Sequence, residues 1–324
     1  MRKIAKNHWF LLSIAACYTA GYLGADVLKP VTDLSWLRDS IVFIVMWAMG
    51  VTLRAETVRA SISKPAPGLL AIMINLLLIP LLTLPTMWFL PEHLFGGLFV
   101  GALVPCTLAS ASVWTRRAGG DDSIAMLTTV ATNLSCVAVV PVGVMLVLSR
   151  QADVSAVDQI AKLSLLVVAP LIVGQAMRWY GWGGWADRRK PRLSLVGQFG
   201  ILAMVVFGAV ASRQSLGDGS TTGWPAMMIL LVAASAIHSA ALAIGVASSR
   251  WLGMQPETQI AVGISGSQKT LMVGLQIAID CGVSVIPMLV YHLSQLVIDT
   301  VIADRWKASH SPSPPSDSST AARS

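Results

Sequence analysis

Long apolar runs, separated by short charged or proline-containing segments, dominate the chain. A helix that crosses a bilayer needs about 20 mostly apolar residues, and the chain contains ten runs near that length. We predict ten transmembrane helices, called spans one to ten, at residues 8–28, 37–53, 67–89, 94–117, 122–148, 157–180, 193–212, 224–250, 257–281 and 285–303. The predicted fold class is an all-α polytopic membrane protein.

The composition agrees with this pattern. Of the 324 residues, 55% are hydrophobic and 12% are charged, and the mean hydropathy is +0.68, whereas about a quarter of a soluble domain is charged. The net charge of +7 would suggest a nucleic-acid partner in a soluble protein. In a membrane protein the same excess is typical of cytoplasmic loops, so we predict contact with a lipid bilayer and no nucleic acid.

Basic residues also set the expected orientation. With the N-terminus in the cytoplasm, 17 of the 23 Lys and Arg residues fall in inner segments, five fall at outer ends and Lys269 lies within a span. This asymmetry predicts both termini in the cytoplasm, in a plasma or bacterial inner membrane. It disfavours a cleaved signal peptide at the N-terminus, because removing it would leave an odd number of spans. The Ser- and Pro-rich residues 309–324 predict a disordered cytoplasmic tail.

The ten spans divide into two halves of five, residues 8–148 and 157–303, which predicts two inverted five-helix repeats. The fourth span of each half carries a break. One reads "VPCTLASASVWT" at 104–115 and the other reads "GISGSQKTLMVG" at 263–274. Interrupted helices at matching positions indicate a substrate and ion site near the bilayer midplane. The alternative is that these small and hydroxylated residues only let helices pack closely.

The two breaks supply most of the candidate site residues. The first offers Ser110, and the second offers Ser265, Ser267, Gln268, Lys269 and Thr270. A lysine at mid-membrane costs at least about 2.5 kcal/mol on insertion scales, so Lys269 needs a compensating partner. We expect its ammonium to lie beside the first break and to bond to backbone carbonyls or to hydroxyls such as those of Ser110 or Ser112. No P-loop motif is present in the sequence, so we do not expect ATP to drive this chain.

Several stretches resemble the bile acid:sodium symporter family, most of all its branch of bacterial SBF-like proteins and the seventh human member. The most specific are "SGSQKTLMVG" at 265–274 and "MLVYHLSQLVIDTVIADRW" at 288–306, with "VPCTLASASVWTRRAGGD" at 104–121. The resemblance implies a panel of spans one, two, six and seven, and a core of spans three to five and eight to ten. Spans four and nine would cross at their breaks, and substrate would lie between panel and core.

The same resemblance implies ligands for two sodium sites: Asn75 and Gln268 for one, and Ser112 and Thr129 for the other. The chain departs from the family at two positions, because Ile264 stands where relatives have an acidic residue and Lys269 where they usually have Asn. The ammonium of Lys269 could therefore take the place of one bound cation. It could also attract an anionic substrate, carry a proton through the transport cycle, or support the crossing by hydrogen bonds alone.

Other polar residues inside spans leave similar alternatives open. His292, Gln295 and Asp299 share one face of span ten and should turn inward, either as a proton or substrate path or as helix-to-helix hydrogen bonds. His238 stands alone in span eight and is interpreted as a packing residue. Gln175, near the inner end of span six, could reach substrate.

Together these patterns predict a secondary active transporter for an organic, anionic solute. We expect alternating access between panel and core, with coupling to sodium or protons and no cofactor other than a sodium ion. A cation/proton antiporter and a channel are the alternatives, although neither break contains a carboxylate and the polar residues cluster instead of lining a continuous path. An enzyme is disfavoured because the sequence lacks HExxH, GxSxG and paired carboxylates.

Overall fold

The computed structural model describes residues 2–54, 56, 65–107, 110–148, 155–217 and 223–310. All regular secondary structure in these ranges is helical. Most of the predicted tail, at 311–324, lies outside the described residues, and residues 309–310 form the end of the last helix.

Seven helices are described in the first half of the chain. They are α1 (Arg2–Leu23), α2 (Ala25–Thr32), α3 (Ser35–Thr52), α4 (Pro65–Trp88), α5 (Glu92–Leu103), α6 (Ser110–Arg117) and α7 (Asp122–Leu148). Helix α4 contains a π-helical turn at Ile74–Leu78 and ends in a 3₁₀ turn at Leu84–Trp88.

Six helices are described in the second half. They are α8 (156–177), α9 (Gly183–Gly217), α10 (Trp224–Trp251), α11 (Pro256–Ser267), α12 (Leu271–Asp280) and α13 (Ile286–His310). The connection predicted between spans six and seven is itself helical, which the sequence interpretation missed. The turn Arg178–Trp182 joins α8 to α9, and Gly181 bends the chain there with φ 94°, a conformation that glycine adopts readily.

Five helical segments are long and apolar enough to cross a membrane. They are α4, α7, the continuous segment Ala156–Gln214, α10 and the Ile286–Lys307 part of α13, and a sixth is formed if α2 and α3, bent by 76°, count as one. Predicted spans six and seven count once here because their helices are continuous. Spans four and nine are missing because each is broken into two short helices.

The helices pack as two groups. Helix α9 packs along α1, α2 and α3, and α8 packs on α3; we call α1–α3, α8 and α9 the panel. Helix α11 packs on α10, α4 and α7, and α13 packs on α10 and α5; we call α4–α7 and α10–α13 the core. The two groups meet where α12 contacts α9 and where the first turns of α8 contact α7. This grouping matches the one implied by the family resemblance.

Two glycines let the panel helices α3 and α8 approach backbone to backbone. A Cβ atom on Gly174 would lie 2.5 Å from the Val51 nitrogen, and one on Gly50 would lie 2.9 Å from the Leu171 Cα atom. Small residues at such contacts are the usual means by which membrane helices pack closely. The panel is therefore a tightly joined unit.

Candidate functional site

The first break lies between α5 and α6, and its described carbonyl groups are all hydrogen-bonded. Cys106 O accepts from Asn133 Nδ2 at 3.1 Å, and Thr107 O accepts from the Thr129 hydroxyl at 2.9 Å. Pro105 O accepts from the Thr270 N–H at 2.9 Å. Unwound backbone is tolerated inside a membrane only when its polar groups are satisfied in this way.

The second break, between α11 and α12, is extended at Gln268 and Thr270. Gln295 on α13 binds both backbone polar groups of Lys269. Its Oε1 accepts from Lys269 N at 2.9 Å, and its Nε2 donates to Lys269 O at 3.0 Å. The bond from Thr270 to Pro105 joins this break to the first one. The two interrupted helices therefore meet at their breaks.

Lys269 is 1% exposed and is among the largest fully buried side chains. Its ammonium donates to Asn75 O at 2.6 Å, to Val104 O at 2.9 Å and to Asn75 Oδ1 at 3.2 Å. The sequence analysis expected carbonyls or the hydroxyls of Ser110 or Ser112 as partners. The carbonyls are correct, whereas the hydroxyls are wrong because the side chain extends toward α4.

A π-helical turn makes Asn75 O available to this ammonium. Within the turn the Ile79 N–H bonds to Ile74 O, five residues back, instead of to Asn75 O. The next residue, Pro80, has no N–H to offer. Asn75 O is thus left without a helical donor and accepts from Lys269, while Asn75 Nδ2 donates to Gln268 O at 2.8 Å and to Gly266 O at 3.2 Å.

Gln268 is fully buried and connects the two breaks through its side chain. Its Oε1 accepts from the hydroxyls of Thr107 at 2.8 Å and Ser110 at 2.9 Å. Its Nε2 donates to a carboxylate oxygen of Asp299 on α13. An ionised carboxylate only accepts hydrogen bonds, so the amide nitrogen faces Asp299 and the amide oxygen faces the two hydroxyls.

Asp299 and His238 form a fully buried pair that the sequence interpretation missed. His238 Nε2 lies 3.0 Å from Asp299 Oδ1, and His238 Nδ1 lies 3.2 Å from Ser267 O. Because a carbonyl oxygen only accepts, Nδ1 must carry a proton. A hydrogen bond between Nε2 and Oδ1 needs a further proton on one of these two atoms. His238 is thus a buried packing residue with both ring nitrogens hydrogen-bonded, as interpreted, but its partner Asp299 lies 61 positions away, which no local pattern reveals.

The inward face predicted on span ten is confirmed. His292, Gln295 and Asp299 are at most 5% exposed. Gln295 Nε2 also donates to His292 Nδ1 at 2.9 Å, which leaves the other ring nitrogen of His292 to carry the proton. His292 lines the main cavity described below.

The four proposed sodium ligands do not surround one point. Asn75 and Gln268 lie at the crossing, and Thr129 lies beside the first break. Ser112 is buried on α6 and contacts Arg116 at 3.2 Å and Asp122 at 3.4 Å. Asp122 is therefore engaged in an ion pair with Arg116, while Asp121 accepts from the Ser123 N–H at 2.9 Å as a cap of α7.

Three other candidates face away from the cavity. Ser265 donates to Ala261 O at 2.6 Å, and Ser267 donates to Ile264 O at 3.2 Å, so both hydroxyls bond within α11. Gln175 donates to Gly50 O at 2.6 Å and Leu53 O at 2.9 Å, where it satisfies the last carbonyls of α3. Gln175 does not line the main cavity, and its contact with substrate stays a prediction.

A cavity of about 340 Å³ opens beside the crossing, between panel and core. Thr107, Ser110 and Thr270 line it from the breaks, and Arg116 and Lys190 line it near its mouth. Apolar side chains cover much of the remaining wall: Ala48, Met49, Leu193, Ile201, Leu271 and Leu296. Burial and the nearby Arg116 and Arg54 lower the pKa of Lys190.

Two broken helices that meet beside a cavity, within an all-helical membrane protein, define a transporter architecture. A family model for the SBF-like CPA transporter family matches residues 8–308. The chain belongs to that family, which consists of transporters, so this protein is a transport protein and not an enzyme.

Three relatives illustrate the range of similarity. An uncharacterized Pseudomonas aeruginosa protein is 30% identical over 313 residues, which cover 93% of this chain and 92% of the relative. YfeH of Escherichia coli is 24% identical over 282 residues, covering 84% of each chain. Sodium/bile acid cotransporter 7 of Mus musculus is 23% identical over 323 residues, covering 94% of each chain.

Proposed function

We propose that this protein is a secondary active transporter that moves an organic anion by alternating access between panel and core. In this proposal the ten spans form two inverted repeats, at 8–148 and 157–303, with both termini in the cytoplasm. The cavity then opens to the cytoplasm, because it lies at the end of the bundle that carries Arg54, Arg116 and Lys190.

The observation that carries the proposal is the position of the cavity. Its walls come from α3 and α9 of the panel and from α6, α13 and both breaks of the core. A solute bound there would touch both groups at once. Rocking one group against the other would therefore change which side of the membrane reaches the solute, which is the usual motion of inverted-repeat transporters.

The charges around the cavity favour an anionic solute. Lys190 and Arg116 lie at its mouth, and Lys190 makes no ion pair with any carboxylate among the described residues. Deeper in, Lys269 has no carboxylate within ion-pair distance in the described part of the chain. Basic side chains thus lie both at the mouth of the cavity and at the crossing, and the apolar wall suits an organic body.

Coupling is the second part of the proposal. The names of several relatives include sodium as a co-transported ion, and we propose that this chain retains fewer sodium sites than they have. The three oxygens that converge on Lys269 Nζ, at 2.6–3.2 Å, form a cation site that the ammonium fills permanently. Thr129, Ser112 and Gln268 remain proposed ligands for a sodium ion elsewhere at the crossing.

One observation favours a second candidate, a cation/proton antiporter. The sequence analysis disfavoured this function because neither break contains a carboxylate. Asp299 nevertheless reaches the crossing from α13 and bonds to Gln268. A buried carboxylate beside broken helices is a common feature of ion and proton pathways, so both functions predict movement of a cation and only the first predicts movement of an organic anion.

Flux measurements distinguish these functions. Purified protein in liposomes is given a sodium gradient or a pH gradient separately, and uptake of labelled taurocholate and of simpler organic carboxylates and sulfonates is measured alongside sodium and proton flux. Organic-anion uptake driven by either gradient supports the proposal. Cation exchange without uptake of any organic anion supports the antiporter and contradicts it.

A matched pair of variants tests the charge at the cavity mouth. Lys190→Gln should raise KM for an anionic solute about tenfold, or about 1.4 kcal/mol, because the ammonium no longer attracts the solute. Arg192→Gln removes an exposed charge from the same helix outside the cavity lining and should leave KM unchanged. Equal effects of the two variants would mean that Lys190 does not contact solute.

A further inference from the structure

A charged cluster joins the panel to the core at the end of the bundle opposite the cavity. Asp280, the last residue of α12, accepts from Arg38 Nη2 at 2.7 Å, from Lys162 Nζ at 2.9 Å and from Gln276 Nε2 at 2.9 Å. Arg38 and Lys162 belong to the panel, whereas Gln276 and Asp280 belong to the core. We call these four residues, with Asp39, the outer cluster.

The positions along α3 show that the cluster and the cavity are far apart. Arg38 lies in the first turn of α3, and the cavity residue Thr52 is the last residue of the same helix. At 1.5 Å per residue, fourteen residues of helix span about 21 Å. The main cavity and the outer cluster therefore lie at opposite ends of the bundle.

Arg38 itself has an unused hydrogen-bond donor. The residue is 9% exposed, and its Nε atom is buried without a partner among the described residues. Nε and one terminal nitrogen form an edge of the guanidinium that matches two oxygens of a carboxylate or sulfonate. The contact with Asp280 uses Nη2 only, so that edge is half satisfied.

A second cavity, of about 210 Å³, lies against this residue. Arg38 lines it together with Thr32, Asp33 and Ser35 of the panel, and with Ile279 of the core next to Asp280. Asp33 is the acidic residue in this lining, and the carboxylate of Asp280 already faces Arg38. An anion that entered this cavity could accept a hydrogen bond from the Nε–H group of Arg38, which has no other acceptor among the described residues.

We propose that Arg38 is an outer binding site for an organic anion, and that an anion bound there replaces Asp280 and weakens the contact between core and panel by removing one of its ion pairs. The inference rests on the proposed transport function. It adds the site at which a solute that arrives from the outer side would first bind. The exchange leaves no carboxylate unpartnered, because Asp280 keeps Lys162 and Gln276. A buried carboxylate left without a partner would otherwise lower the stability of the folded protein.

Cysteine labelling tests the closure. Ser194→Cys reports on the main cavity, which its residue lines. Leu275→Cys reports on the interface beneath the cluster, because Leu275 is fully buried and lies close to Gly208 of α9. Each reporter is labelled with a maleimide in lipid nanodiscs and quantified at that residue by mass spectrometry, so the native cysteines do not interfere.

Asp280→Asn should weaken the outer cluster and shift the protein toward opening at that end. We expect labelling of Leu275→Cys to rise at least threefold and labelling of Ser194→Cys to fall. Opposite changes exclude general unfolding, which would raise both rates. Asp304→Asn is the control, because Asp304 pairs with Arg117 inside the core and should change neither rate. Unchanged rates in Asp280→Asn would overturn the proposal.

Benzenesulfonate tests the anion site, with neutral benzenesulfonamide as its control. With Arg38 present, benzenesulfonate should raise labelling of Leu275→Cys and lower labelling of Ser194→Cys. With Arg38→Gln, it should not change labelling of Leu275→Cys. If Arg38→Gln responds like the parent, or if the parent does not respond, Arg38 is not the site. Neither labelling assay measures transport, so a negative labelling result does not contradict the proposed function. Conversely, a failure to detect uptake in liposomes would not change the labelling results.

Discussion

The contacts of Lys269 support the proposal that its ammonium takes the place of a bound cation. Its three oxygen partners come from two different core helices and include two backbone carbonyls that have no helical donor. Such carbonyls, at the end of α5 and in the π-helical turn of α4, carry partial negative charge. A mobile cation or a tethered one could satisfy them, and this chain supplies the tethered one.

Replacing Lys269 with alanine should expose the vacant cation site. Lys269→Ala leaves the carbonyls of Asn75 and Val104 unpaired, at a cost of about 1–3 kcal/mol for each group, so the melting temperature and transport should both fall. Sodium should then raise the melting temperature of the variant relative to choline, because an ion that binds only the folded state stabilises it. The difference in melting temperature between the two salts should be larger for the variant than for the wild-type protein, in which the ammonium already fills this site.

Two further variants sharpen this test. Lys29→Ala removes an exposed lysine from α2 and should melt like wild type in either salt. Lys269→Asn combined with Ile264→Glu should give sodium-dependent uptake, since it returns an amide and a carboxylate to the crossing. If Lys269→Ala transports normally, the ammonium serves packing alone.

The sequence could not predict which side chains of the site bond to one another. The inward face of His292, Gln295 and Asp299 followed from helical spacing, and the burial of Lys269 followed from its apolar surroundings. The bonds from Asp299 to His238 and Gln268 join three separate helices. Such contacts depend on tertiary packing, and the sequence of one helix does not encode the position of another.

At the scale of helices, the breaks were predictable and the turns beside them were not. Pro105 and the glycines of 263–274 remove donors or loosen the backbone, so the interruptions could be located from sequence. The π-helical turn at Ile74–Leu78 has no such marker except Pro80, which equally suits an ordinary helix bend. Its consequence, a free Asn75 carbonyl, becomes visible only beside Lys269.

The close contact between α3 and α8 gives a prediction at the same scale. Gly174→Ala places a methyl group 2.5 Å from the Val51 nitrogen, so the helices must separate, at a cost of about 1–3 kcal/mol. We expect a lower melting temperature and reduced uptake. Gly184→Ala is the control, because its nearest neighbour is the flexible Arg188 side chain at 3.6 Å. Equal melting temperatures would show that the panel helices do not need this contact.

For the whole molecule, hydropathy predicted helices at every apolar run but not their continuity. Spans six and seven are joined through Gly181, spans four and nine are split, and the apolar helix Leu12–Leu23 of span one falls below the length limit. A count of long helices therefore gives five segments, or six when the bent pair that contains span two is included. The number of long helices therefore does not give the number of membrane crossings in this protein. A broken helix can cross with its two halves, provided that neighbouring groups satisfy the open backbone.

The orientation of the whole chain is the remaining prediction, and it follows from charge. The cavity end carries Arg54, Arg116, Arg117 and Lys190, and the opposite end carries Arg38 and Lys162. Because basic residues are retained on the cytoplasmic side, reporter fusions after Arg250 and His310 should be active as cytoplasmic fluorescent protein and inactive as periplasmic phosphatase. A fusion after Arg213 should behave in the opposite way. Phosphatase activity after His310 would mean an odd number of crossings and would contradict the inverted five-plus-five arrangement.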